Sequence, residues 1–428
     1  MNNGFIDAMQ EKILILDGAM GTMLQKYGLR GNNEEFNITH PEIVREIHEA
    51  YIAAGADIIT SNTFGANRIS QAGFGCAEKA GEFARAGAEL ARDAADAAGR
   101  KVFVAGSMGP TGKSLSLPLD ISNPAYREVS FDEMAEAYSE QLQGLLKGGV
   151  DCLILETCFD ALNTKAAIWS IMGNPAARQL PLIISASPLN KGGHLLTGQS
   201  VEGFRKSVAH ARPLCFGLNC SMGAEDLSQL VGEVASSSPY AVSCYPNAGL
   251  PDSCGGYSQG PGQIASAMRE MALNGWLNIA GGCCGTTPEH IRAIAEALKD
   301  VPPRKLPAGL ASEQEIPSKA AELCVGSDVE NSVFEAEDLV CEGADLLKIK
   351  TDDSVSGKAE VMEAFVRSIA TDPYVSAASL CFDASDWNSA LAGMKNFPGR
   401  CLLDCAKTPL SESQREQMLR LGAEVLPA

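Results

Sequence analysis

Two adjacent cysteines, Cys283 and Cys284, lie on a short segment with glycines on both sides, Gly281-Gly282-Cys283-Cys284-Gly285. The apolar run 276–280 before them predicts a buried strand, and Thr287-Pro288 after them predicts the start of a helix. A disulfide between neighbouring cysteines would strain the peptide that joins them, and two cysteines that only fill a core would not need flanking glycines. Metal binding is therefore the better interpretation, provided that a third ligand exists.

A third thiol is available at Cys220, in the sequence Gly217-Leu218-Asn219-Cys220-Ser221. Cys220 follows the apolar run 215–218, so it also lies at the end of a predicted strand. Three thiolates that meet at one edge of a sheet favour zinc among the common protein metals. Other cysteines near the same edge share no glycine-bounded turn with a second thiol, and we interpret them as non-ligands: Cys158, Cys244 and Cys254.

The chain has 428 residues, which is long for one hydrophobic core and predicts two domains. Its 34 basic and 53 acidic residues give a net charge of -19, which disfavours nucleic acid and anionic membranes as partners. Residues 1–12 lack the apolar core of a signal peptide, and no run approaches the roughly 20 apolar residues of a membrane helix. We expect a cytoplasmic protein, in which most of the 14 cysteines are small buried side chains.

Short apolar runs alternate with amphipathic segments between residues 13 and 300, a pattern typical of a parallel sheet crossed by helices. The runs predict eight strands, at 13–16, 57–60, 102–105, 152–155, 182–186, 215–218, 240–243 and 277–280. Eight strand-helix units predict an α/β fold of the TIM (β/α)8 barrel type, with an open doubly wound sheet as the less favoured alternative. The chemistry of a TIM barrel lies at the carboxyl ends of its strands.

Polar residues replace apolar ones where several of these predicted strands end. Asp17, Asn62 and Glu156 follow the first, second and fourth runs, and Asn247 follows the seventh. In a barrel their side chains would share one rim with the three cysteines. Asp17 and Asn247 also have a structural explanation, since both stand in glycine-containing turns. Glu156 is the stronger functional candidate, because an unpaired carboxylate at the end of an apolar run is costly.

Three protein thiolates on zinc leave one coordination position open, which is typical of a catalytic rather than a structural site. A thiol substrate in that position would be deprotonated and held as a thiolate at neutral pH. The electron-rich sulfur ligands make zinc a poor Lewis acid for hydrolysis and leave the bound thiolate nucleophilic. The ligand set therefore favours alkyl transfer to sulfur over cleavage of a peptide or an ester.

Motifs of one enzyme family span nearly all of residues 10–300: Asp17-Gly-Ala-Met-Gly-Thr22, Gly31-Asn-Asn33, Gly55-Ala-Asp-Ile-Ile59, Asn62-Thr-Phe64, Glu156-Thr157, Gly217-Leu-Asn-Cys220, Tyr245-Pro-Asn-Ala-Gly-Leu-Pro251 and Gly281-Gly-Cys-Cys-Gly-Thr-Thr-Pro288. Together they resemble the homocysteine S-methyltransferase family, and most closely the homocysteine-binding module of cobalamin-dependent methionine synthases. The last motif is highly specific. The Asn-Ala-Gly-Leu-Pro sequence favours the cobalamin branch over enzymes that use betaine or S-methylmethionine.

The resemblance implies a zinc site of Cys220, Cys283 and Cys284, with the homocysteine sulfur as the fourth ligand. Asn247 matches the residue that occupies the metal when the substrate is absent. The implied methyl donor is methylcobalamin, a corrinoid, carried on another protein. It would approach the bound thiolate in line, and no protein general base is needed at the moment of transfer.

The resemblance also assigns the amino acid end of the substrate. The family's amino-acid-binding carboxylates fall on Asp17 and Glu156, a pair that suits an ammonium group. Ser107 and backbone amides are left for the substrate carboxylate. Asn62, on the same rim, is a further candidate for substrate contact.

The proline-rich stretch 301–319 predicts an extended linker between residues 1–300 and a smaller α/β domain at 320–428. About five strands are predicted in this second domain, at 322–325, 346–349, 378–382, 401–403 and 424–426, with helices at 358–370 and 411–421. Their order resembles a truncated piece of the folate-binding barrel that follows the homocysteine module in the same branch of the family.

The second domain departs from that barrel at positions that would bind folate. Lys348 and Lys350 stand where the family has acidic and amide residues, and Asp404 stands where it has an asparagine. Only Asp383 remains as a pterin contact, which argues against folate binding. An open layer on the first domain, a dimerisation element and a docking surface for a corrinoid protein remain alternative roles.

The leading hypothesis is a zinc-dependent homocysteine S-methyltransferase that forms methionine with a methyl group from a separate corrinoid protein. One alternative keeps the acceptor but takes the methyl group from S-methylmethionine or betaine directly. Another is a non-catalytic homocysteine-binding accessory subunit of a corrinoid methyltransferase complex. The expected partners are homocysteine and the corrinoid protein, without nucleic acid or membrane, and a homo-oligomer is compatible with the sequence.

Overall fold

A computed structural model of the chain describes residues 3–120, 122–251, 256–307 and 319–426. Two parallel sheets, of eight and five strands, organise these residues into an α/β fold. The predicted TIM-type barrel followed by a five-stranded α/β domain is therefore confirmed. Among the described helices, none is both long and apolar enough to cross a bilayer.

The first sheet contains a strand at each of the eight predicted runs: β1 Leu14–Ile15, β2 Ile58–Thr60, β3 Phe103–Met108, β4 Cys152–Cys158, β5 Leu182–Ala186, β6 Cys215–Asn219, β7 Ala241–Tyr245 and β8 Ile279–Ala280. Neighbouring strands pair in parallel in the order β1-β8-β7-β6-β5-β4-β3-β2. A bridge between Leu16 and Ile58 joins the two ends, supported by a 2.9 Å hydrogen bond from Asp17 N to Ile58 O. The sheet is thus a nearly closed barrel, and the carboxyl ends of its strands form one rim.

The strands β3 and β4 extend beyond their predicted ends, which changes the setting of two site residues. β3 continues through Ser107, and β4 continues through Glu156. The prediction that both residues lie beyond the strand ends is wrong, because both strands continue past the apolar runs and the Ser107 hydroxyl donates to the Glu156 carboxylate there. In contrast, only the last two residues of the run 276–280 form a strand.

Twelve α-helices accompany the barrel strands in the described part of the chain: α1 Asn3–Glu11, α2 Met20–Lys26, α3 Phe36–Thr39, α4 Pro41–Ala53, α5 Arg68–Ala72, α6 Ala80–Asp96, α7 Phe131–Lys147, α8 Ala161–Gly173, α9 Val201–Val208, α10 Ala224–Ser237, α11 Pro261–Leu273 and α12 Pro288–Leu298. Ser130 and Glu133 form a capping box before α7, so each satisfies a backbone amide that the first turn leaves free. Thr287 is the N-cap of α12, as predicted, and Pro288 is its first residue.

Apolar side chains from alternate strand positions fill the barrel, and α1 closes its lower end. Phe5 and Met9 of α1 are fully buried against the same cluster, which includes Leu14, Ile154 and Ile279. The Phe5 ring meets Phe103 edge to face, with 4.9 Å between the centroids. Burying each of these large side chains contributes about 1.5–3 kcal/mol. The end of the barrel at the amino termini of its strands is thus filled with apolar side chains, and the polar candidate residues lie at the opposite rim.

Gly217 on β6 is required by the close approach of β7. A Cβ atom at this position would lie 2.2 Å from Ser243 O and 2.0 Å from Ser243 Oγ. We expect Gly217→Ala to lower the free energy of unfolding by about 2–3 kcal/mol, since the strands cannot separate without breaking their hydrogen bonds. Urea denaturation would measure the loss. The control is Gly262→Ala in α11, where nothing lies within 4 Å of the added methyl; it should be neutral or stabilising by about 0.5–1 kcal/mol. Equal urea midpoints for the two variants would contradict this account.

The second sheet has five parallel strands in sequential order: β9 Ala320–Val325, β10 Leu346–Thr351, β11 Ser379–Asp383, β12 Cys401–Asp404 and β13 Glu424–Val425. Four helices connect them: α13 Val329–Cys341, α14 Lys358–Ile369, α15 Trp387–Asn396 and α16 Glu412–Leu421. All five predicted strands and both predicted helices of this domain are present, with ends shifted by up to two residues.

The second domain packs on α8 of the barrel. Almost every residue of α8 is buried, including polar ones, because its inner face meets the barrel and its outer face meets α16. The Arg420 guanidinium lies 3.7 Å from the Trp169 ring centroid and donates a 2.8 Å hydrogen bond to Trp169 O. Lys165 donates to the carbonyl oxygens of Phe397 and Gly399, and burial lowers its pKa to about 8. These contacts are buried and specific, so the two domains form a continuous core.

The first part of the predicted linker lies along the barrel. Residues 301–307 form neither helix nor strand, and Arg304 donates hydrogen bonds to Ala235 O, Ser238 O and Tyr240 O. The guanidinium thus satisfies carbonyl groups at the end of α10. Residues 308–318 of the predicted linker lie outside the described residues.

Candidate metal and substrate site

The three predicted cysteines come together at the carboxyl-terminal rim of the barrel. Cys220 directly follows β6, and Cys283 and Cys284 lie on the turn after β8. Their Sγ atoms all lie within 4.8 Å of one another, and Cys220 Sγ is 3.9 Å from Cys284 Sγ. A zinc ion with tetrahedral ligands at about 2.3 Å requires sulfur atoms about 3.8 Å apart. All three cysteines are free, so the cluster has the spacing of a metal site rather than of a disulfide.

The turn that carries Cys283 and Cys284 is fixed by backbone hydrogen bonds to the neighbouring strand end. Cys283 N donates to Pro246 O at 2.7 Å, and Ala248 N donates to Cys284 O at 2.9 Å. Gly285 has a φ of +80°, and a Cβ there would lie 2.2 Å from the Tyr257 ring. The flanking glycine is therefore needed for both conformation and space, as its position beside the thiols suggested.

Cys220 reaches the cluster through an unusual backbone conformation. Cys220 and Ser221 have φ values of +60° and +58°, in the left-handed region that side chains with a Cβ rarely occupy. Each such residue costs on the order of 1 kcal/mol, a strain typical of functional sites. Hydrogen bonds from Cys283 and Cys284 lower the pKa of the Cys220 thiol, so the cluster favours thiolate at that position.

Asn247 brings an uncompensated oxygen to the same cluster. It lies just beyond β7, its N–H donates to Met222 O at 3.0 Å, and its side chain lies beside Cys220. Its Oδ1 atom is buried and has no hydrogen-bond partner among the described residues. A buried acceptor left without a donor costs about 1–3 kcal/mol. Three thiols and one orphaned oxygen fit the ligand set of a zinc ion.

The two carboxylates predicted to bind substrate are placed on neighbouring parts of the rim. Asp17 is buried and accepts hydrogen bonds from Thr60 N at 2.9 Å and Thr60 Oγ1 at 3.0 Å. Burial raises the pKa of Asp17 well above its ordinary value, and the nearby Glu156 raises it further. Burial also raises the pKa of Glu156, to about 7, against the opposing effect of the Ser107 hydrogen bond. Two carboxyl groups in this environment are poised to accept a cation.

Ser107 and Asn62, the other two predicted substrate contacts, already have partners within the protein. The Ser107 hydroxyl donates to Glu156, as described above. Asn62 Nδ2 donates to Asn33 O at 2.8 Å and to Asn37 Oδ1 at 2.9 Å. Both amide hydrogens of Asn62 are thus used to hold the rim, and only its Oδ1 is left for a ligand.

Thr157 and Asn219 have roles in the site that the sequence did not reveal. Asn219, the last residue of β6, joins β4, β5 and the cysteine turn through its side chain. Thr157 has a φ of +58° within β4. Asn219 was visible only as the neighbour of Cys220, and nothing in the sequence predicts a left-handed threonine inside a strand. Cys254, predicted to be a non-ligand, lies outside the described residues.

A cavity lies in the second domain, at the carboxyl ends of β9 to β11. Its volume is about 310 Å³, and charged side chains, including Lys350, Asp383 and Lys407, contribute much of its wall. Asp383, the predicted pterin contact, accepts a 2.8 Å hydrogen bond from Ser385 N. Lys348 Nζ lies 4.0 Å from the Asp404 carboxylate. Of the three residues that depart from the folate-binding pattern, Lys348 and Asp404 therefore form an ion pair, and Lys350 lines the cavity.

Comparison with known proteins agrees with the barrel fold. The oxidized form of the homocysteine methyltransferase MmuM from Escherichia coli is 23% identical, and the alignment covers 69% of this chain and 98% of that chain with a TM-score of 0.57. The metallated form of the same enzyme is 23% identical over 68% of this chain and 98% of that chain, with a TM-score of 0.55. The profile of the family described as Homocysteine S-methyltransferase matches residues 14–298, which include every barrel strand. The chain therefore belongs to the homocysteine S-methyltransferase family and is a methyltransferase.

Proposed function

We propose that the protein is a zinc-dependent homocysteine S-methyltransferase that forms methionine. The observation that carries this proposal is the cluster of three Sγ atoms within 4.8 Å of one another, beside the orphaned Asn247 Oδ1. When bound by Cys220, Cys283 and Cys284, zinc would keep one position for the homocysteine sulfur and hold it as a thiolate. The protein's own side chains bind and orient the rest of the substrate.

Asp17 and Glu156 bind the ammonium group of homocysteine in this proposal. Their burial makes a charged partner valuable, because an ammonium group compensates carboxylates that have little access to water. Ser107 orients the Glu156 carboxylate, and backbone amides are left for the substrate carboxylate. Asn247 Oδ1 would hold the fourth position of the metal in the absence of homocysteine. The thiol proton leaves to solvent before transfer, so no protein general base is needed.

The proposed methyl donor is a methylcorrinoid on a separate protein. The methyl group passes to sulfur as the carbon–sulfur bond forms and the cobalt–carbon bond breaks, and both electrons of the broken bond stay on cobalt. The Asn247-Ala-Gly-Leu-Pro251 sequence supports this donor over a sulfonium or betaine donor. We infer that the second domain does not bind folate, since Lys348, Lys350 and Asp404 replace the expected contacts.

Zinc analysis combined with a donor-specific assay tests the proposal. We expect about one zinc per chain and methionine formation from homocysteine with methylcobalamin. Activity with S-methylmethionine or betaine, and none with methylcobalamin, would overturn the corrinoid donor but keep the acceptor. Homocysteine binding without transfer from any donor would instead indicate an accessory subunit. Absence of zinc in protein purified without chelators, and failure to rebind it, would reject the proposed site.

Homocysteine binding should weaken at acidic pH because of Glu156. Its pKa of about 7 in the free protein means that the carboxylate, the form that binds an ammonium group, is lost as the pH falls below 7. Zinc with three thiolates carries a net charge of -1, so metal binding would not remove this effect. Release of the thiol proton on binding already makes the dissociation constant of the zinc-loaded protein for homocysteine fall about tenfold per pH unit, and we expect Glu156 to add about another tenfold per unit below 7 only. Calorimetric titrations from pH 6 to 8 would measure this, and equal slopes above and below pH 7 would contradict the role of Glu156.

A further inference from the structure

The Asn219 side chain uses its full hydrogen-bonding capacity at the boundary between the thiols and the carboxylates. Its Oδ1 accepts from Thr157 N at 3.0 Å and from Ser185 Oγ at 2.7 Å. Its Nδ2 donates to Thr157 Oγ1 at 2.9 Å and to Cys283 Sγ at 3.9 Å. The side chain is fully buried, so water does not compete for these four contacts.

Two of these contacts clamp an irregularity in β4. The pairing register between β4 and β5 shifts between Leu155 and Cys158, which leaves Glu156 and Thr157 as a bulge. Thr157 takes a left-handed φ of +58° there, a conformation that costs on the order of 1 kcal/mol for a β-branched residue. Bulges next to active sites redirect a side chain, and here the side chain concerned is that of Glu156. Asn219 accepts a hydrogen bond from the Thr157 N–H and donates one to the Thr157 hydroxyl, and these two bonds stabilise the bulge.

The remaining donor of Asn219 points to the metal end of the site. Its N–H reaches the sulfur of Cys283, and its own backbone leads directly into Cys220, which has a left-handed φ of +60°. A hydrogen bond to a thiolate ligand fixes the direction of the sulfur and withdraws charge from it, and such outer contacts affect metal affinity strongly. Asn219 therefore contacts the proposed ligand Cys283 and directly precedes the proposed ligand Cys220. It also binds Thr157, the neighbour of the proposed substrate carboxylate Glu156.

We propose that Asn219 is a positioning residue that couples the zinc-binding end of the site to its ammonium-binding end. The inference rests on the proposed function, because it assigns both ends their ligands. One amide thereby fixes the Cys283 sulfur and the Glu156 bulge relative to each other. The distance between the zinc-binding end and the ammonium-binding end is therefore fixed, and the substrate binds with its sulfur at one end and its ammonium group at the other.

Two substitutions separate the contacts of Asn219. Asn219→Asp keeps the acceptors for Thr157 N and Ser185 Oγ but loses both N–H donors and places a negative charge beside the thiolates. Asn219→Ala loses all four contacts. We expect both variants to bind zinc about 10- to 100-fold more weakly than the wild type, measured by competition with a chromogenic chelator. We also expect a shifted thiolate-to-cobalt charge-transfer band after loading with Co²⁺.

The kinetic pattern distinguishes positioning from general stability. With saturating zinc, Asn219→Ala should raise the KM for homocysteine more than Asn219→Asp does, because only the alanine variant frees Thr157 N and the bulge. The kcat values of the two variants should be similar, since neither change touches the reacting atoms. Ser185→Ala is the matched control, because it removes a contact of Asn219 that involves neither Cys283 nor Thr157. It should keep wild-type zinc affinity and KM.

Wild-type zinc affinity, cobalt spectrum and KM in Asn219→Asp would overturn the inference. That near-isosteric variant decides the question alone if Asn219→Ala fails to fold, which circular dichroism would reveal. A wild-type protein that binds no zinc would overturn the proposed function itself. A loss of zinc affinity in Ser185→Ala equal to that in Asn219→Asp would show a general packing effect and would also reject the positioning role.

Discussion

Replacing Cys283 with alanine is expected to remove zinc from the protein and to abolish methionine formation. Apparent binding energies of structural zinc sites are about 10–16 kcal/mol, so one of four ligands accounts for roughly 3–4 kcal/mol. The variant should therefore bind zinc about 100- to 1,000-fold more weakly. Its two remaining thiols, Cys220 and Cys284, lie 3.9 Å apart and offer only two sulfur ligands. Atomic absorption after dialysis, together with the methylcobalamin assay, measures both effects.

Cys244→Ala is the matched control for this experiment. Cys244 is fully buried in β7 and lies outside the thiol cluster, and burial raises its pKa to about 12, so it stays a neutral thiol. Its replacement should cost some stability, of the order of 1 kcal/mol, and leave zinc content and turnover intact. Full zinc occupancy and normal methyl transfer in Cys283→Ala would show that the cluster is not the metal site.

The architecture followed from patterns that depend on local sequence. Eight apolar runs separated by helical segments indicated a barrel, and each run contains a strand. Strand ends are less predictable, because a polar residue does not always mark the point where a strand leaves the sheet. Ser107 and Glu156 are polar but remain in β3 and β4, where the Ser107 hydroxyl donates to the Glu156 carboxylate. A hydrogen bond between residues 49 positions apart leaves no trace in local composition.

The same limit explains which parts of the site were found. The cysteines were recognisable because glycines flank one pair and because a barrel brings the carboxyl ends of its strands together. The Asn219 contacts were not, since Thr157 lies 62 positions away and its left-handed conformation arises from the bulge. Lys165 on α8 of the barrel is a similar case, because a charged residue on a buried helix is explained only by carbonyl groups of the second domain, more than 200 positions later.

Glu156→Gln should raise the KM for homocysteine by about 10- to 150-fold, because hydrogen bonds to charged groups contribute about 1.5–3 kcal/mol. The glutamine oxygen can still accept from Ser107, so the geometry of the rim is kept while the charge is lost. The ammonium group of the substrate is bound equally in the ground state and in the transition state. The kcat value should therefore change little, and the loss should appear in KM. Steady-state kinetics with varied homocysteine would separate the two parameters.

Asp151→Asn provides the control on the same strand, at the opposite end of the barrel. Asp151 precedes β4 and accepts 2.8 Å hydrogen bonds from Arg92 Nη1 and Val104 N, so its loss should cost stability and leave the KM unchanged. Glu156→Gln should instead raise the KM and leave stability unchanged or higher.

Since the folded protein raises the pKa of Glu156 to about 7, the wild type loses stability as the pH rises from 4.5 to 7, and the neutral glutamine does not undergo that loss. Its urea midpoint at pH 8 should therefore be at least that of the wild type. If Glu156→Gln has the KM of the wild type, Glu156 does not bind the ammonium group. If its urea midpoint is lower than that of the wild type, the carboxylate stabilises the folded protein.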